Sequence, residues 1–331
     1  MTDKTVDVLA IGNAIVDVIA DADDGFLGAN GLDKGGMRLI DADEAERLYS
    51  EMGPGRELSG GSAANTVAGL AALGLETAFI GQLGDDELGQ IFTHDIQALG
   101  VDFTTPPRND AGPTARCLIL VTPDAQRTMS TFLGAAQHLD SSAVTSNRIA
   151  AARILYLEGY LWDPVEPRAA MEAAIEHARA SDTKVAFTLS DGFVVERHRA
   201  DFLRLIDDGK IDILFANEGE IQALAGVPHF DTAVAAVQGK VATLVVTRSE
   251  KGAIAVSNGI RAEVPAESVT QVVDTTGAGD LFAAGFLAGL AQGRTLPECL
   301  RIGAIAAAEV ISHYGARPEA DLKALVSARM G

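Results

Sequence analysis

The sequence predicts an α/β fold: a mostly parallel sheet covered by helices on both faces, with a small β appendage. From about residue 153 onward, short apolar stretches alternate with helical ones across short loops, the pattern of parallel strands joined by crossover helices. The 34 glycines against 1 tryptophan and 4 tyrosines suit close helix–sheet packing better than an all-β surface. A third observation marks the appendage: Thr114–Thr122 and Arg127–Phe132 break the rhythm as two short strands around Pro123-Asp124, a hairpin signal.

Val6–Gly12 is nearly all apolar, as in a strand buried on both faces. Ile15–Ala20 continues as a second extended segment with Asp17 embedded in it, and Lys34–Ile40 reads as a short strand after glycines. Asp41–Met52 is a predicted helix with Asp41 as N-cap. Ser62–Leu73 is a helix opened by glycines and closed by Gly74; Ala78–Ile80 is a strand, and Asp86–Leu99 a helix stopped at Gly100. Further strands are expected at Ile154–Glu158, Val185–Leu189, Ile211–Ala216 and Thr243–Thr247. Helices are expected at Pro167–Arg179, Val194–Asp207, Glu218–Ala225 and Thr232–Gln238. A β-rich stretch is then predicted through Val273, followed by closing helices at Ala278–Gln292, Leu296–His313 and Pro318–Arg329.

The 331 residues permit one large domain, 1–331, with the appendage formed from about 13–40 and 114–133. The formal net charge of −20 argues against nucleic acid or an anionic membrane as partner. It leaves an anionic ligand open, because backbone N–H groups bind phosphate inside acidic proteins. Cys117 and Cys299 stand too far apart in sequence for a disulfide framework or a zinc motif, which points to a reducing cytoplasm. The start has no basic segment or cleavage site and is read as strands, and no apolar run has the length of a membrane span.

Chemistry concentrates in a few places. Thr276-Gly277-Ala278-Gly279-Asp280 opens a helix. Successive N–H groups at a helix start make an anion site, and glycine lets a ligand approach the backbone. Asp280 is either a first-turn acid suited to the helix dipole or a base aimed at a hydroxyl that attacks a phosphoryl group. Gly60-Gly61 before Ser62 and Asn65 is a second glycine-opened helix, either a plain turn with a Ser62 cap or a ligand contact with Asn65 as donor. Asn217 and Glu220 follow a buried strand, where parallel sheets gather ligands. They suit a nucleotide phosphate or magnesium shell, or a capping box, or both. Asp17 is a carboxylate in an apolar segment and wants donors, which a sugar diol, an arginine or backbone amides would supply. Arg127 in the appendage is either an exposed charge or a group that steadies a transferring phosphoryl. No G-x-x-x-x-G-K-[ST], no G-x-G-x-x-G after the first strand, no G-x-S-x-G and no H-E-x-x-H is present.

Taken in order, Gly60-Gly61-x-x-x-Asn65, the Ile80–Gly89 segment, Asn217-x-x-Glu220 and Asp274–Asp280 resemble the PfkB/ribokinase family of sugar and nucleoside kinases over nearly the whole chain. The resemblance implies a ribokinase-like doubly wound sheet with a β-sheet lid. Within the family, Gly12–Asp17 and Arg127–Ala136 resemble segments of the adenosine kinases. It further implies ATP-dependent phosphorylation of a hydroxyl, the ribose 5′-OH of adenosine, with Asp280 as base. Gly277, Ala278 and Gly279 would form the anion hole, with Arg127 arriving on the lid. Asn13, Asp17, Gly60, Gly61 and Asn65 would hold the sugar; Met37, Leu39, Cys117, Met129, Phe132 and Tyr160 would surround the purine. Thr247, Arg248, Gly252 and Thr276, with Asn217 and Glu220, would meet the nucleotide, and Glu220 would organise Mg2+ through water. The resemblance admits a monovalent cation as well as ATP and Mg2+. In TRSEKG, Arg248 and Ser249 depart from the family's small residues, and Met37 stands where some adenosine kinases carry glutamine. A ribokinase- or fructokinase-type sugar kinase, another purine nucleoside kinase, a non-catalytic nucleoside binder and a weakly supported dehydrogenase remain as alternatives. Small-molecule substrates are the expected partners, with lids in the family either exposed or paired between subunits.

Overall fold

The computed structural model describes residues 4–124 and 126–331; residues 1–3 of the predicted start and residue 125 beside the hairpin signal lie outside them. Its strands are β1 (Val6–Ile11), β2 (Ile15–Asp21), β3 (Met37–Leu39), β4 (Arg56–Gly60), β5 (Thr77–Ile80), β6 (Val101–Phe103), β7 (Ala115–Val121), β8 (Arg127–Phe132), β9 (Ala152–Glu158), β10 (Lys184–Thr188), β11 (Ile213–Asn217), β12 (Thr243–Thr247), β13 (Ala253–Ser257) and β14 (Ile260–Val264).

Nine of these form one sheet in the order β14-β13-β12-β11-β10-β9-β1-β5-β6. All pairings are parallel except the antiparallel β12–β13 and β13–β14 at one edge. The strand order reverses at β1, which lies between β5 and β9. That reversal opens a crevice at the carboxyl ends of the strands, the position where doubly wound sheets bind ligands. Alternate residues of β1 enter different cores: Val8 and Ala10 join the apolar cluster on one face, Leu9 and Ile11 the cluster on the other.

On the first face the helices Ser62–Ala72, Ala278–Ala291 and Leu296–Val310 pack together. Gly69 is required there, because a Cβ at that position would meet Leu281 and Ala284 at 2.6 and 2.9 Å. Gly285 and Gly303 permit the same close approach between Ala278–Ala291 and Leu296–Val310, where a Cβ on either would meet backbone. Close helix packing thus accounts for three of the 34 glycines.

The other five strands form a second, smaller sheet in the order β3-β8-β7-β2-β4, the sheet expected to act as the lid and called so below. One face of β2, with Val16 and Val18, is covered and belongs to the same cluster as Val8 and Ala10. The opposite face carries Ile15, Asp17 and Ile19, all half-buried.

The structure corrects the sequence reading at several points. Arg56–Gly60 is a lid strand paired antiparallel to β2, although the sequence presented it only as the approach to a helix. The β-rich stretch ends at Val264 instead of Val273; the following segment docks by Val273 N–H donating to the Ile311 carbonyl at 2.8 Å. The last helix begins at Leu322, with Asp321 as its cap, instead of at Pro318. Residues 311–321 consequently form a connecting segment, and the site depends on it. Two short helices, Asp24–Ala29 and Ser146–Ala151, and the strand β6 were also not expected.

Candidate active site

The crevice is assembled from four places: the end of β1, the start of Ser62–Ala72, the start of Ala278–Ala291, and the open face of the lid. At the switch point Glu158, the last residue of β9, is fully buried. It accepts from Asn13 N–H at 2.7 Å, Asn13 Nδ2 at 2.6 Å and Ala63 N–H at 2.9 Å. Burial pushes its carboxyl up to about 7, and the donated hydrogen bonds oppose that shift. Glu158 therefore caps, from another element, a helix whose own cap residue, Gly61, has no side chain to offer. The expected substrate residue Asn13 is buried with its amide committed to Glu158.

Gly60 and Gly61 serve close approach. A Cβ on Gly60 would sit 2.5 Å from the Asp17 carboxylate, and one on Gly61, at φ 97°, would run into the Asn13 carbonyl oxygen. Asp17 has no hydrogen-bond donor among the described residues. Burial raises its carboxyl to about 6, against the lowering effect of Arg317 and Arg127.

At the first residue of the helix Ser62 Oγ donates to Asp280 Oδ1 at 2.7 Å, and one turn on Asn65 Nδ2 donates to Asp280 Oδ2 at 2.9 Å. The Asn65 amide oxygen is buried without a donor. Burial pushes the Asp280 carboxyl above its usual range, opposed by these two hydrogen bonds and by the charge of Arg317. Asp280 belongs to the first turn of its helix, but its side chain is tied to the neighbouring helix.

Behind it, Gly277 is left-handed (φ 77°), and a Cβ there would press on Ala316. Ala278 N–H is taken by the Thr275 carbonyl at 3.2 Å, so the turn engages one of the three expected anion-hole amides. The N–H groups of Gly277, Gly279 and Asp280 have no protein acceptor among the described residues. Space beside Gly279 is open, with nothing within 4 Å of a Cβ built there. This is an unfilled anion cradle at a helix start.

The lid reaches it. Cross-strand register places Leu39, Thr131, Cys117 and Asp17 in one row, and Met37, Met129, Ile119 and Ile19 in the next. Met37 and Leu39 are 57% and 64% exposed, so this face presents an apolar platform beside Asp17. Phe132 alternates with Thr131, and it pairs with Arg116, which stacks on Tyr49 of the helix Ala42–Glu51. Phe132 thus lies on the lid's other face, apart from the expected purine set. Tyr160 stands at the end of β9, partly exposed, its hydroxyl donating to the Ser190 carbonyl at 3.2 Å.

Arg127, on the lid's open face, spans to the body. Its Nη1 is 2.8 Å from Asp274 Oδ2 and donates to Thr276 Oγ1 at 3.2 Å. The two side chains of the ion pair are 8% and 4% exposed. Arg127 Nε and Nη2 are buried and unpartnered, and such a guanidinium edge is ready for an anion. The sequence had left Asp274 without a role. It receives Thr276 N–H and hydroxyl and the Gly315 N–H as well as Arg127.

The nucleotide-side residues are farther along the same sheet edge. Asn217 and Glu220 form a complete capping box: Asn217 N–H and Nδ2 donate to the two Glu220 oxygens, and Glu220 N–H to Asn217 Oδ1. Burial raises Glu220 to about 7. Thr247 ends β12, and Gly252 is obligatory, since at φ 87° a Cβ would strike the Val264 carbonyl. Arg248 stacks 3.9 Å over Phe230 and pairs with Glu218 at 3.2 Å, while Ser249 takes a left-handed φ of 50°.

Known proteins share this fold. The family model described as pfkB family carbohydrate kinase matches residues 37–322. A crystal structure of adenosine kinase from Sinorhizobium meliloti is 49% identical, superposes with a TM-score of 0.90, and the match covers 98% of this chain and 99% of that one. A probable sugar kinase from Rhizobium etli CFN 42 is 45% identical with a TM-score of 0.91, over 99% of both chains. The adenosine kinase of Saccharomyces cerevisiae is 27% identical across 94% of this chain and 96% of its own. The open amide cradle, the carboxylate beside it and the lid that reaches both therefore stand in a known setting: the chain belongs to the pfkB family of carbohydrate kinases, phosphotransferases that act on hydroxyl groups.

Proposed function

We propose that the protein transfers the terminal phosphoryl group of ATP to the 5′-hydroxyl of a nucleoside, with adenosine as the preferred acceptor. The observation that carries the nucleoside reading is the lid face, where Asp17, a carboxylate without protein donors, lies beside the exposed apolar surface of Met37, Leu39 and Met129. A ribose diol supplies donors to the first and a flat base covers the second.

In this reading Asp280 accepts the proton of the attacking hydroxyl as the new O–P bond forms and the bond to the ADP leaving group breaks. An ordinary carboxylate is a weak base; burial strengthens Asp280, and Ser62 and Asn65 hold it in place. The free N–H groups of Gly277, Gly279 and Asp280 receive the developing charge on the phosphoryl oxygens. Arg127 offers its unpartnered edge to the same group, and lid closure excludes water. Glu220 and Asn217 suit Mg2+ only through its water shell, because Asn217 already occupies both Glu220 oxygens and Mg2+ commonly retains waters. When bound, the ion neutralises phosphate charge.

A sugar-kinase reading is favoured by the similarity to the Rhizobium etli protein. ADP release measured with adenosine, guanosine, inosine, ribose and fructose separates the two. Adenosine is expected to give the highest kcat/KM; turnover on ribose or fructose with none on adenosine would overturn the nucleoside reading.

A further inference from the structure

The segment between the last two helices holds the site together through Arg317. Its Nη1 donates to the Ala64 carbonyl at 2.7 Å, its Nη2 to the Ser59 carbonyl at 2.6 Å and Ser59 Oγ at 2.9 Å, and its Nε to the Ser59 carbonyl at 3.2 Å. Ser59 is in lid strand β4, directly before the Gly60 that lies against Asp17; Ala64 is in the first turn of the helix that carries Ser62 and Asn65 to Asp280. One guanidinium is thus a single hydrogen bond away from the support of each cleft carboxylate.

The same segment touches the rest of the site. Gly315 donates to Asp274, Ala316 lies against Gly277, and the Tyr314 ring lies 5.4 Å from the Arg127 guanidinium carbon. Arg317 precedes Pro318, which favours an extended backbone there, and the last helix starts only at Leu322, capped by Asp321. Glu309 fixes the far side, accepting from Glu319 N–H and Ala320 N–H at 2.9 Å each.

We propose that Arg317 is a positioning residue for phosphoryl transfer: it ties lid strand β4 and the Ser62–Ala72 helix to the C-terminal segment and sets the positive charge that faces Asp17 and Asp280. Around Asp280 stand Ser62 and Asn65 from one helix, Glu158 and Tyr156 from β9, Tyr160 just after it, Asp17 from β2, and Arg317 from the C-terminal segment. Around Asp17 stand Arg127 from the lid, Asp274 and Asp280 from the cradle, and Arg317. Asp95, which accepts from Ser59 N–H and hydroxyl, is the remaining carboxylate near Arg317. Burial lowers Arg317 only to about 10, so it stays cationic wherever the carboxylates titrate.

This inference rests on Asp280 as base, and the test separates the two. The pH profile of kcat/KM is measured for wild type, Arg317→Met and Arg317→Lys, with thermal melting of each and Asp280→Asn as control. Loss of the cation raises the carboxylate pKa, so Arg317→Met moves the acid limb up by about one pH unit, a roughly tenfold loss on the acid side. Arg317→Lys keeps the limb near its wild-type position while kcat falls about tenfold, because one ammonium cannot make the forked contacts. A purely structural tie predicts lower melting temperatures and an unmoved limb in both, which would overturn the proposal. An Asp280→Asn enzyme with normal turnover would instead overturn the base assignment beneath it.

Discussion

The helices Ser62–Ala72 and Ala278–Ala291 both follow a glycine turn, and both starts lead to the Asp280 carboxylate, yet their mouths are different. At Ser62–Ala72 the mouth is occupied: Glu158, fully buried, takes the Ala63 N–H and ties it to Asn13. At Ala278–Ala291 the N–H groups of Gly277, Gly279 and Asp280 have no protein acceptor among the described residues, and space beside Gly279 is open. Both sequences read as a glycine turn before a small-residue helix. A buried carboxylate makes the first a structural joint. Its absence, with the Asp280 side chain drawn away to Ser62 and Asn65, leaves the second able to receive an anion.

The contrast is broken most severely at Gly61. Gly61→Ala combines a left-handed φ with a clash against the Asn13 carbonyl, and a loss of about 3 kcal/mol of stability is expected in denaturant melts. At the open mouth the outcome reverses. Gly279→Ala meets no protein atom, so its melting temperature is expected to stay at or above wild type. Its kcat should fall about a hundredfold, because the methyl obstructs only what binds there. A Gly279→Ala enzyme of normal kcat would mean that this mouth is not the phosphoryl site.

Arg127→Ala tests the lid's part in the open mouth. The ion pair with Asp274 is lost, and kcat is expected to fall about thirtyfold with little change in nucleoside KM. An unchanged kcat would leave the bridge purely structural.

The smallest effect concerns the occupied mouth. Asp17 is raised from 3.8 to about 6, and Glu158 and Glu220 from 4.5 to about 7. The folded chain then holds more protons than the unfolded chain between those limits, so these three groups lower stability as pH rises through the window. Glu158→Gln removes one of them, and the fall in melting temperature from about pH 5 to about pH 7.5 should shrink by about a third. An unaltered fall would show that Glu158 does not titrate there.

Much of this was legible in the sequence because it is local. Strand–helix alternation gave the parallel sheet, and β8, β12 and the helix Glu218–Ala225 appear with the expected bounds. The N-cap Asp41 and the Asn217–Glu220 box are also local patterns. What escaped depends on long-range pairing. Glu158 looked like the last residue of a strand until β9 came to lie beside β1. Arg317 stands just before the predicted Pro318–Arg329 helix and drew no reading, because its partners Ser59 and Ala64 are more than 250 positions away. Asp274 could not be assigned because its cation arrives from the lid. Phe132 was misplaced by one step of strand alternation, which register alone decides. β4 is short and runs into two glycines, so its pairing with β2 left little local trace.

The central claim is that the open mouth holds the transferring phosphoryl group while Asp280 takes the proton of the attacking hydroxyl. Asp280→Asn keeps the shape of the side chain and removes its basicity. Single-turnover kinetics with saturating ATP and adenosine, alongside equilibrium binding of adenosine, test this directly. The expected result is a phosphoryl-transfer rate reduced about 10²–10⁴-fold with adenosine affinity within a few-fold of wild type. A rate near wild type would contradict the account.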